Sequence, residues 1–203
     1  MSKKKTAQQV IIPSVSWTLK SDLVENFAFW DNAFTSEECD AIVEVGLRRN
    51  LNVATVSKEG VVNEDIRKSN IVSLHPGEVE WAYRRLTDIV NELNAKFFGF
   101  DLWGFGEGLQ FTEYKAPSGK YDFHVDRMYS GALRKLSLVV QLTDPNKYKG
   151  GDLELSFGEP AIKMERAKGR LVAFPSFVMH RVKPVTKGTR HSLVAWVNGP
   201  QFK

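Results

Sequence analysis

After Gly108 the chain consists of short strand-like segments separated by turn residues, and this pattern limits the folds open to it. Glycine, proline, aspartate and asparagine stand between several of the segments, as they do in tight turns. Many short strands without helices between them predict a β-sandwich or a jelly-roll barrel. The predicted strands are Leu109–Tyr114, Tyr121–Asp126, Lys135–Leu142, Asp152–Phe157, Arg170–Phe174, Met179–Val182 and His191–Val197.

Two helices are predicted in the first half of the chain. Thr35 and Glu38 have the spacing of a capping box, so the first helix should begin there. Its apolar face would contain Cys39, Ile42, Val43 and Gly46, which makes Cys39 a buried residue rather than a nucleophile. The second helix should begin after Pro76-Gly77 and end at Gly99, with an apolar stripe of Ala82, Leu86, Ile89, Val90, Leu93 and Phe97. Helices first and strands after predict an α+β protein whose helices support one sheet.

The composition is typical of a globular protein. The 203 residues are 42% hydrophobic and 26% charged, which is enough to bury a core. A single cysteine excludes an internal disulfide and favours a reducing compartment. The sequence contains no apolar run of about 20 residues, and its first ten residues lack the apolar core of a signal peptide. We therefore expect a cytoplasmic protein without a membrane segment.

The net charge of +4 does not by itself indicate a nucleic-acid partner. The one dense basic run, Lys3 to Lys5, lies at a terminus, where solvated tails are common. Short basic runs are weak motifs, so we do not expect nucleic acid to be the partner.

His124 and Asp126 are the best candidates for metal ligands, together with His180. Side chains two apart on a strand lie on one face, so His124 and Asp126 can share a metal with a histidine from another strand. Two histidines and one carboxylate suit zinc, and they also suit the open Fe(II) sites of non-haem oxygenases. Arg190 favours the oxygenase, because an arginine can hold a carboxylate co-substrate, and Tyr114 could add a hydroxyl donor. We expect His75, next to Pro76, to be structural, and His191 to point away from the face of Arg190.

The chain resembles the prolyl 4-hydroxylase type of Fe(II)/2-oxoglutarate dioxygenases, the PKHD-like hydroxylases, over most of its length. The matching pieces in the second half are Leu109-Gln110, Tyr114, Tyr121–Asp126, Leu136–Leu142, Gly150–Leu153, Gly169–Ser176, His180, Val182, Pro184-Val185, Gly188 and Arg190. Those in the first half are Phe29–Asn32, Phe34-Thr35, Glu37-Glu38 and Ile66–Ser69.

The resemblance implies a cupin-like double-stranded β-helix, or jelly roll, with supporting N-terminal helices. It implies one domain over residues 1–203, with a catalytic core at about 105–199 and helical and strand support at about 20–104. Fe(II) would be held by His124, Asp126 and His180, and the distal carboxylate of 2-oxoglutarate by Arg190 and Tyr114. Substrate contacts would come from Arg67, Tyr121 and Trp196. O2 would be the second co-substrate, and ascorbate is an additional cofactor to consider.

The reaction implied is hydroxylation of an unactivated C–H bond, with 2-oxoglutarate converted to succinate and CO2. A prolyl residue in a protein or peptide is the expected substrate. The segment from Leu51 to Asn70 lacks apolar periodicity, so we expect a polar loop that closes over an extended peptide. The alternatives are a dioxygenase for a free amino acid or nucleic acid, and a non-catalytic jelly-roll binding module. Trp196 counts against nucleic acid, because the demethylases of the superfamily typically carry a second arginine there.

Overall fold

Eight strands form the larger of two antiparallel sheets. The computed structural model describes residues 24–56, 61–126 and 133–201, so the basic run near the start lies outside the described residues. The strands of this major sheet are β1 (Ala28–Trp30), β2 (Asn52–Val53), β4 (Asn70–Leu74), β5 (Gly104–Phe105), β6 (Leu109–Lys115), β8 (Leu133–Gln141), β12 (Leu171–Pro175) and β14 (Thr189–Gly199). Their order is β1-β12-β8-β14-β6-β4-β2, and β5 pairs with β14.

Six strands form the minor sheet, which carries the candidate metal ligands. They are β3 (Arg67–Lys68), β7 (Gly119–His124), β9 (Lys149–Gly150), β10 (Leu153–Ser156), β11 (Ile162–Lys163) and β13 (Met179–Lys187). Their order is β11-β10-β13-β7-β3, and β9 pairs with β13. Apolar side chains of both sheets meet in one buried cluster, which includes Leu155 and Val182 from the minor sheet and Val139 and Phe174 from the major sheet. Two facing antiparallel sheets with this packing form a double-stranded β-helix.

The first helix, α1, spans Ser36–Leu47 and begins as the sequence predicts. The Thr35 hydroxyl accepts a hydrogen bond from the Glu38 N–H, and the Glu38 carboxylate accepts one from the Thr35 N–H. This reciprocal pair satisfies two N–H groups that the first turn would leave free. Cys39 is fully buried against the major sheet, and burial raises the pKa of its thiol to about 11. The thiol is therefore inert packing rather than a nucleophile.

The second helix, α2, spans Pro76–Leu93 and continues into a π-helical turn, Asn94–Phe98. Gly99 ends this turn in the left-handed conformation, with a φ of 65°. A π-helical turn adds a residue to each turn and rotates the residues that follow. Phe98 is consequently buried in the core, whereas Phe97 is 37% exposed. The predicted apolar stripe is confirmed from Ala82 to Leu93 but is wrong at Phe97.

Both helices pack on the outer face of the major sheet. Ile42 and Leu86 from the helices share a buried cluster with Phe111, Leu138 and Leu193 from the sheet. The predicted α+β class with helices supporting one sheet is therefore confirmed. None of the helices in the described part of the chain is long and apolar enough to cross a membrane.

The segment from Leu51 to Asn70 differs from the polar loop that the sequence predicts. Its described residues include the short strands β2 and β3, and Ala54, Arg67 and Ser69 are buried. These strands lack a recognisable pattern because they are only two residues long and are held by pairing with longer neighbours. Residues 57–60, which belong to the same segment, lie outside the described residues.

The rotation at the π-helical turn makes opposite predictions for two adjacent phenylalanines. Phe98→Ala removes a buried ring and should lower the free energy of unfolding by about 3 to 5 kcal/mol. Phe97→Ala, the matched control, should lower it by less than about 1 kcal/mol, since surface substitutions have small effects. Urea denaturation of the two variants measures the difference. Equal losses would contradict the burial assigned to Phe98.

Candidate metal centre

Pairing between β7 and β13 brings the candidate ligands together. His124 and His180 are paired in the register of these two strands, and Asp126 follows His124 by two residues. His124 Nε2 lies 3.7 Å from Asp126 Oδ1, and His180 Nε2 lies 3.5 Å from Asp126 Oδ2. One ligand atom from each residue lies within 4.8 Å of the other two. The strand spacing in the sequence therefore does place three potential ligands around one point.

The two imidazoles have the orientation that a metal requires. His124 Nδ1 lies 2.7 Å from the Asp122 carbonyl oxygen, and His180 Nδ1 lies 3.0 Å from the Val178 carbonyl oxygen. A carbonyl can only accept, so each Nδ1 carries the proton and each Nε2 offers its lone pair. Ligand atoms bonded to one ion at about 2.0–2.2 Å lie no more than about 4.4 Å apart, so the separations of 3.5 and 3.7 Å fit a single metal.

Asp126 is buried and held as a carboxylate. Burial alone would raise its pKa, but the neighbouring His180 and hydrogen bonding outweigh burial and lower the pKa below its ordinary value. The Ser137 hydroxyl donates to Asp126 Oδ2 at 2.7 Å. The indole N–H of Trp196 also lowers the pKa of Asp126, although it makes no hydrogen bond of regular geometry. Asp126 therefore has the charge that a metal ligand needs.

His124 is held in its neutral form, which is the form that binds metal. Burial lowers its pKa to about 3, and the neighbouring His180 acts in the same direction. The ring of Tyr121 stacks on the His124 ring, with 3.4 Å between the centroids. The Tyr121 ring covers one face of the imidazole and contributes to its burial.

Arg190 is a buried cation without a carboxylate partner among the residues that the structure describes. It is 1% exposed, and its Nη2 donates to Gln141 Oε1 at 3.0 Å. Its Nη1 lies 3.4 Å from the Ser192 hydroxyl, and its Nε has no partner within the described residues. An unpaired buried charge is energetically costly, so a bound anion would stabilise this guanidinium.

Two neutral side chains complete the surroundings of Arg190. Tyr114, its register partner on β6, lies with its ring 5.3 Å from the guanidinium carbon. Burial raises the pKa of the Tyr114 hydroxyl, which therefore stays protonated and can donate. The amide nitrogen of Gln141 is buried without a partner in the described parts of the chain. A carboxylate beside Arg190 would satisfy these donors.

The candidate substrate contacts border the metal cluster on two sides. The guanidinium of Arg67 lies over the Tyr121 ring, 4.5 Å from its centroid. Trp196 on β14 is nearly buried, and the Arg134 guanidinium lies 3.7 Å from its ring centroid. Arg134 also donates to the Asp126 carbonyl oxygen at 3.4 Å. Arg67 and Tyr121 therefore lie beside His124, and Trp196 beside Asp126.

The other two histidines lie outside this cluster. His75 is the N-cap residue of α2, and its N–H donates to the Glu78 carboxylate at 2.9 Å. His191 stacks on Phe111 and lies 3.4 Å from Glu113 Oε2. Both therefore have structural surroundings, as the sequence predicts.

Sequence reasoning did not assign roles to Ser137, Gln141 and Arg134. Ser137 and Gln141 are buried polar residues in the otherwise apolar second part of β8, residues 136–141. Polar residues within the apolar segment LSLVVQ could have been recognised as site candidates, because buried polar groups need hydrogen-bond partners. Arg134 gives no such signal, since an arginine at the start of a strand is ordinary surface composition. Its position becomes evident from its paired contacts with Glu107, at 2.7 and 2.6 Å.

Comparisons with known proteins agree with this geometry. The family model of the 2OG-Fe(II) oxygenase superfamily matches residues 109–198. A PKHD-type hydroxylase of Nitrosomonas europaea is 30% identical over 169 residues, covering 79% of this chain and 73% of the relative. A PKHD-type hydroxylase of Synechococcus sp. is 39% identical over 80 residues, covering 39% of this chain. The match spans only 36% of that relative, and 41% of a relative from Prochlorococcus marinus.

Solved structures share the fold at lower identity. A Pseudomonas putida prolyl-4-hydroxylase superposes with a TM-score of 0.71 at 24% identity, covering 87% of this chain and 94% of that one. A prolyl hydroxylase from Trichoplax adhaerens, in complex with a hypoxia inducible factor peptide fragment, gives a TM-score of 0.73 at 17% identity. That superposition covers 86% of this chain and 84% of the other. These likenesses confirm the jelly-roll fold.

The Ser137 hydrogen bond makes a prediction about metal affinity. Ser137→Ala removes a donor that orients Asp126, and loss of such a supporting contact typically lowers metal affinity about 10- to 100-fold. Ser73→Ala changes an exposed serine on β4 of the same sheet; it is the matched control and should leave metal affinity unchanged. Titration of the metal-free proteins with Fe(II) under anaerobic conditions measures both. Equal affinities for the wild type and Ser137→Ala would show that Asp126 needs no such support.

Proposed function

Because the chain belongs to the PKHD-type hydroxylases of the 2OG-Fe(II) oxygenase superfamily, we propose that it is a 2-oxoglutarate-dependent dioxygenase that hydroxylates a C–H bond. The observation that carries this proposal is the buried Arg190 without an acidic partner among the described residues. A zinc hydrolase has no need of such a group, whereas an enzyme that binds a dicarboxylate beside its metal does.

His124, Asp126 and His180 would hold Fe(II), and two histidines with one carboxylate are the ligand set of non-haem Fe(II) oxygenases. Bound Fe(II) supplies the oxidation of a C–H bond by O2, coupled to decarboxylation of 2-oxoglutarate to succinate and CO2. The chain contributes the ligand geometry through the β7–β13 register. It also directs Nε2 of both imidazoles towards Asp126, through the carbonyls that accept hydrogen bonds from their Nδ1 atoms.

Arg190 would bind the distal carboxylate of 2-oxoglutarate with its planar, two-pronged guanidinium. Gln141 orients the guanidinium, and its amide nitrogen, which has no partner within the described residues, can add a hydrogen bond. Tyr114 can donate its hydroxyl proton. These groups are buried, so water does not compete for the carboxylate, and the interaction is stronger than at the surface.

A prolyl residue in a peptide is the substrate that we propose. The fold is that of two prolyl hydroxylases, one of which holds a peptide fragment. Arg67, Tyr121 and Trp196 flank the metal cluster, where an extended chain would have to pass to present a carbon to the metal. The short strands β2 and β3 would form one wall of this passage, in place of the mobile loop expected from the sequence.

The test of the reaction class is succinate formation. The purified protein with Fe(II), 2-oxoglutarate and O2 should form succinate slowly alone, and faster with some members of a proline-containing peptide library. Hydroxylated peptide, identified by a mass increase of one oxygen atom, should appear in step with the stimulated succinate. Absence of succinate under all these conditions, with Fe(II) bound, would refute the dioxygenase proposal.

Asp126→Ala should abolish detectable binding of Fe(II) and hydroxylation together. The change removes the one anionic ligand and leaves two neutral imidazoles. Affinity of the wild type should fall in acid, because the carboxylate and the imidazoles bind metal only when deprotonated. Anaerobic Fe(II) titration between neutral pH and acid measures this. Retention of full affinity by the alanine variant would move the metal elsewhere.

Arg190→Ala should weaken 2-oxoglutarate binding by orders of magnitude and leave Fe(II) binding intact. Loss of one partner from a buried charge pair costs about 2 to 5 kcal/mol. Arg190→Lys should restore only part of the affinity, because a lysine lacks the two-pronged geometry. Arg181→Ala, which removes an arginine that pairs with Glu154 outside the pocket, is the control. Unchanged affinity in Arg190→Ala would place the carboxylate site elsewhere.

A further inference from the structure

Arg67 is a second buried arginine near the metal cluster. It lies on β3, at the edge of the minor sheet, and is 8% exposed. Its register partner on β7 is Tyr121, whose ring lies beneath its guanidinium. Because the same ring stacks on His124, the charge of Arg67 is one aromatic ring away from the metal ligands.

The positive charge of Arg67 has no carboxylate opposite it in the described parts of the chain. Nε donates to the Ser69 hydroxyl at 3.1 Å, and Nη1 donates to the Thr55 carbonyl oxygen at 3.3 Å. Both partners are neutral, and no ion pair joins Arg67 to an acidic residue in the described parts of the chain. A buried guanidinium whose hydrogen-bond partners are neutral can bind an anion.

The guanidinium of Arg67 lies over Tyr121, whose ring stacks on His124, so its charge acts on the groups around the metal cluster. It acts on Tyr114, where it opposes the larger effect of burial and lowers the pKa of the hydroxyl. It acts on Tyr121 in the same way, and it disfavours protonation of His124. Arg67 therefore shares one electrostatic environment with the co-substrate pocket and the metal ligands.

The charges of the loaded pocket leave one positive charge unmatched. Arg67 and Arg190 are positive and Asp126 is negative, so these three groups contribute one net positive charge. The other buried acids, Glu113 and Glu154, pair with Lys115 and Arg181. Fe(II) adds two positive charges, and 2-oxoglutarate cancels them with its two carboxylates. We assign the remaining positive charge to Arg67, whose guanidinium lies over the ring that stacks on His124.

We propose that Arg67 binds a carboxylate of the substrate, close to the carbon that is hydroxylated. This inference rests on the proposed function and names its substrate class as an anionic peptide. The carboxylate is either the C-terminus of a peptide that ends in the target residue or an Asp or Glu side chain next to it. A neutral peptide would leave the guanidinium buried and uncompensated, with only its stacking on Tyr121.

The experiment compares peptides that differ only in this charge. The first pair is N-acetyl-Ala-Pro with a free carboxylate and the same peptide as a carboxamide. The second pair is N-acetyl-Asp-Pro-amide and N-acetyl-Asn-Pro-amide. Their dissociation constants are measured by calorimetry on the protein loaded with Fe(II) and 2-oxoglutarate under anaerobic conditions, so that the readout does not depend on turnover.

The wild type should bind the acid at least about tenfold more tightly than the amide in one of the two pairs. A preference in the first pair identifies the C-terminal carboxylate, and a preference in the second pair identifies the Asp side chain. Arg67→Met, which keeps the length of the side chain without the charge, should remove the preference. Arg67→Lys should keep part of it, which separates the charge from the stacking on Tyr121. Arg181→Met, which removes an arginine stacked on Phe123 outside the pocket, should keep all of it.

Three results would overturn the inference. One is a wild type that binds neither acid more tightly than its amide, including a wild type that binds none of the peptides. A second is an Arg67→Met protein that keeps the preference, because Arg67 would then not contact the carboxylate. The third is an equal loss of 2-oxoglutarate affinity in Arg67→Met, because Arg67 would then support the pocket instead of binding the substrate. Failure of the proposed function is distinguishable, because the wild type would then not bind 2-oxoglutarate or form succinate before any peptide is added.

Discussion

The pairing of β7 with β13 is the interaction on which the site depends. It places His124 opposite His180, and the chain leaves β7 so that Asp126 reaches the same point. Because side chains alternate along a strand, a slip of one residue would turn one imidazole to the other face. The register is held by apolar packing between the sheets, where Leu155 and Val182 from the minor sheet meet Phe174 from the major sheet. The metal geometry is therefore a consequence of how the core packs.

The charges in the pocket make its stability depend on its ligands. Asp126 is partly matched by its hydrogen bond from Ser137, but Arg67 and Arg190 have neutral partners among the described residues. Each anion that binds removes part of this unfavourable burial, so the folded state gains stability as the pocket fills. The unfavourable burial of positive charge with neutral partners therefore favours anionic ligands.

The sequence was sufficient for the long elements and for the residues with rare chemistry. The seven predicted strands all exist, because each contains an apolar run or an apolar alternation and is bounded by turn residues. The metal ligands could be identified because the chain has only four histidines and because His124 and Asp126 are two residues apart, which is the period of a strand. The short strands could not be predicted, since two residues hold no period and only their neighbours stabilise them. The burial of Phe98 in place of Phe97 depends on a π-helical turn, which leaves no pattern in the sequence.

The division of the site between long and short elements separates chemistry from recognition. The family match begins at β6 and ends within β14, and this stretch contains the metal ligands, Arg190 and Tyr114. Arg67 lies outside it, on a strand of two residues that is held by pairing to β7. Substitutions in so short a strand can leave the metal ligands in place, because β7 is paired on its other side with β13. A substitution at Arg67 can therefore change the preference for anionic substrates without changing the residues that carry the oxidation.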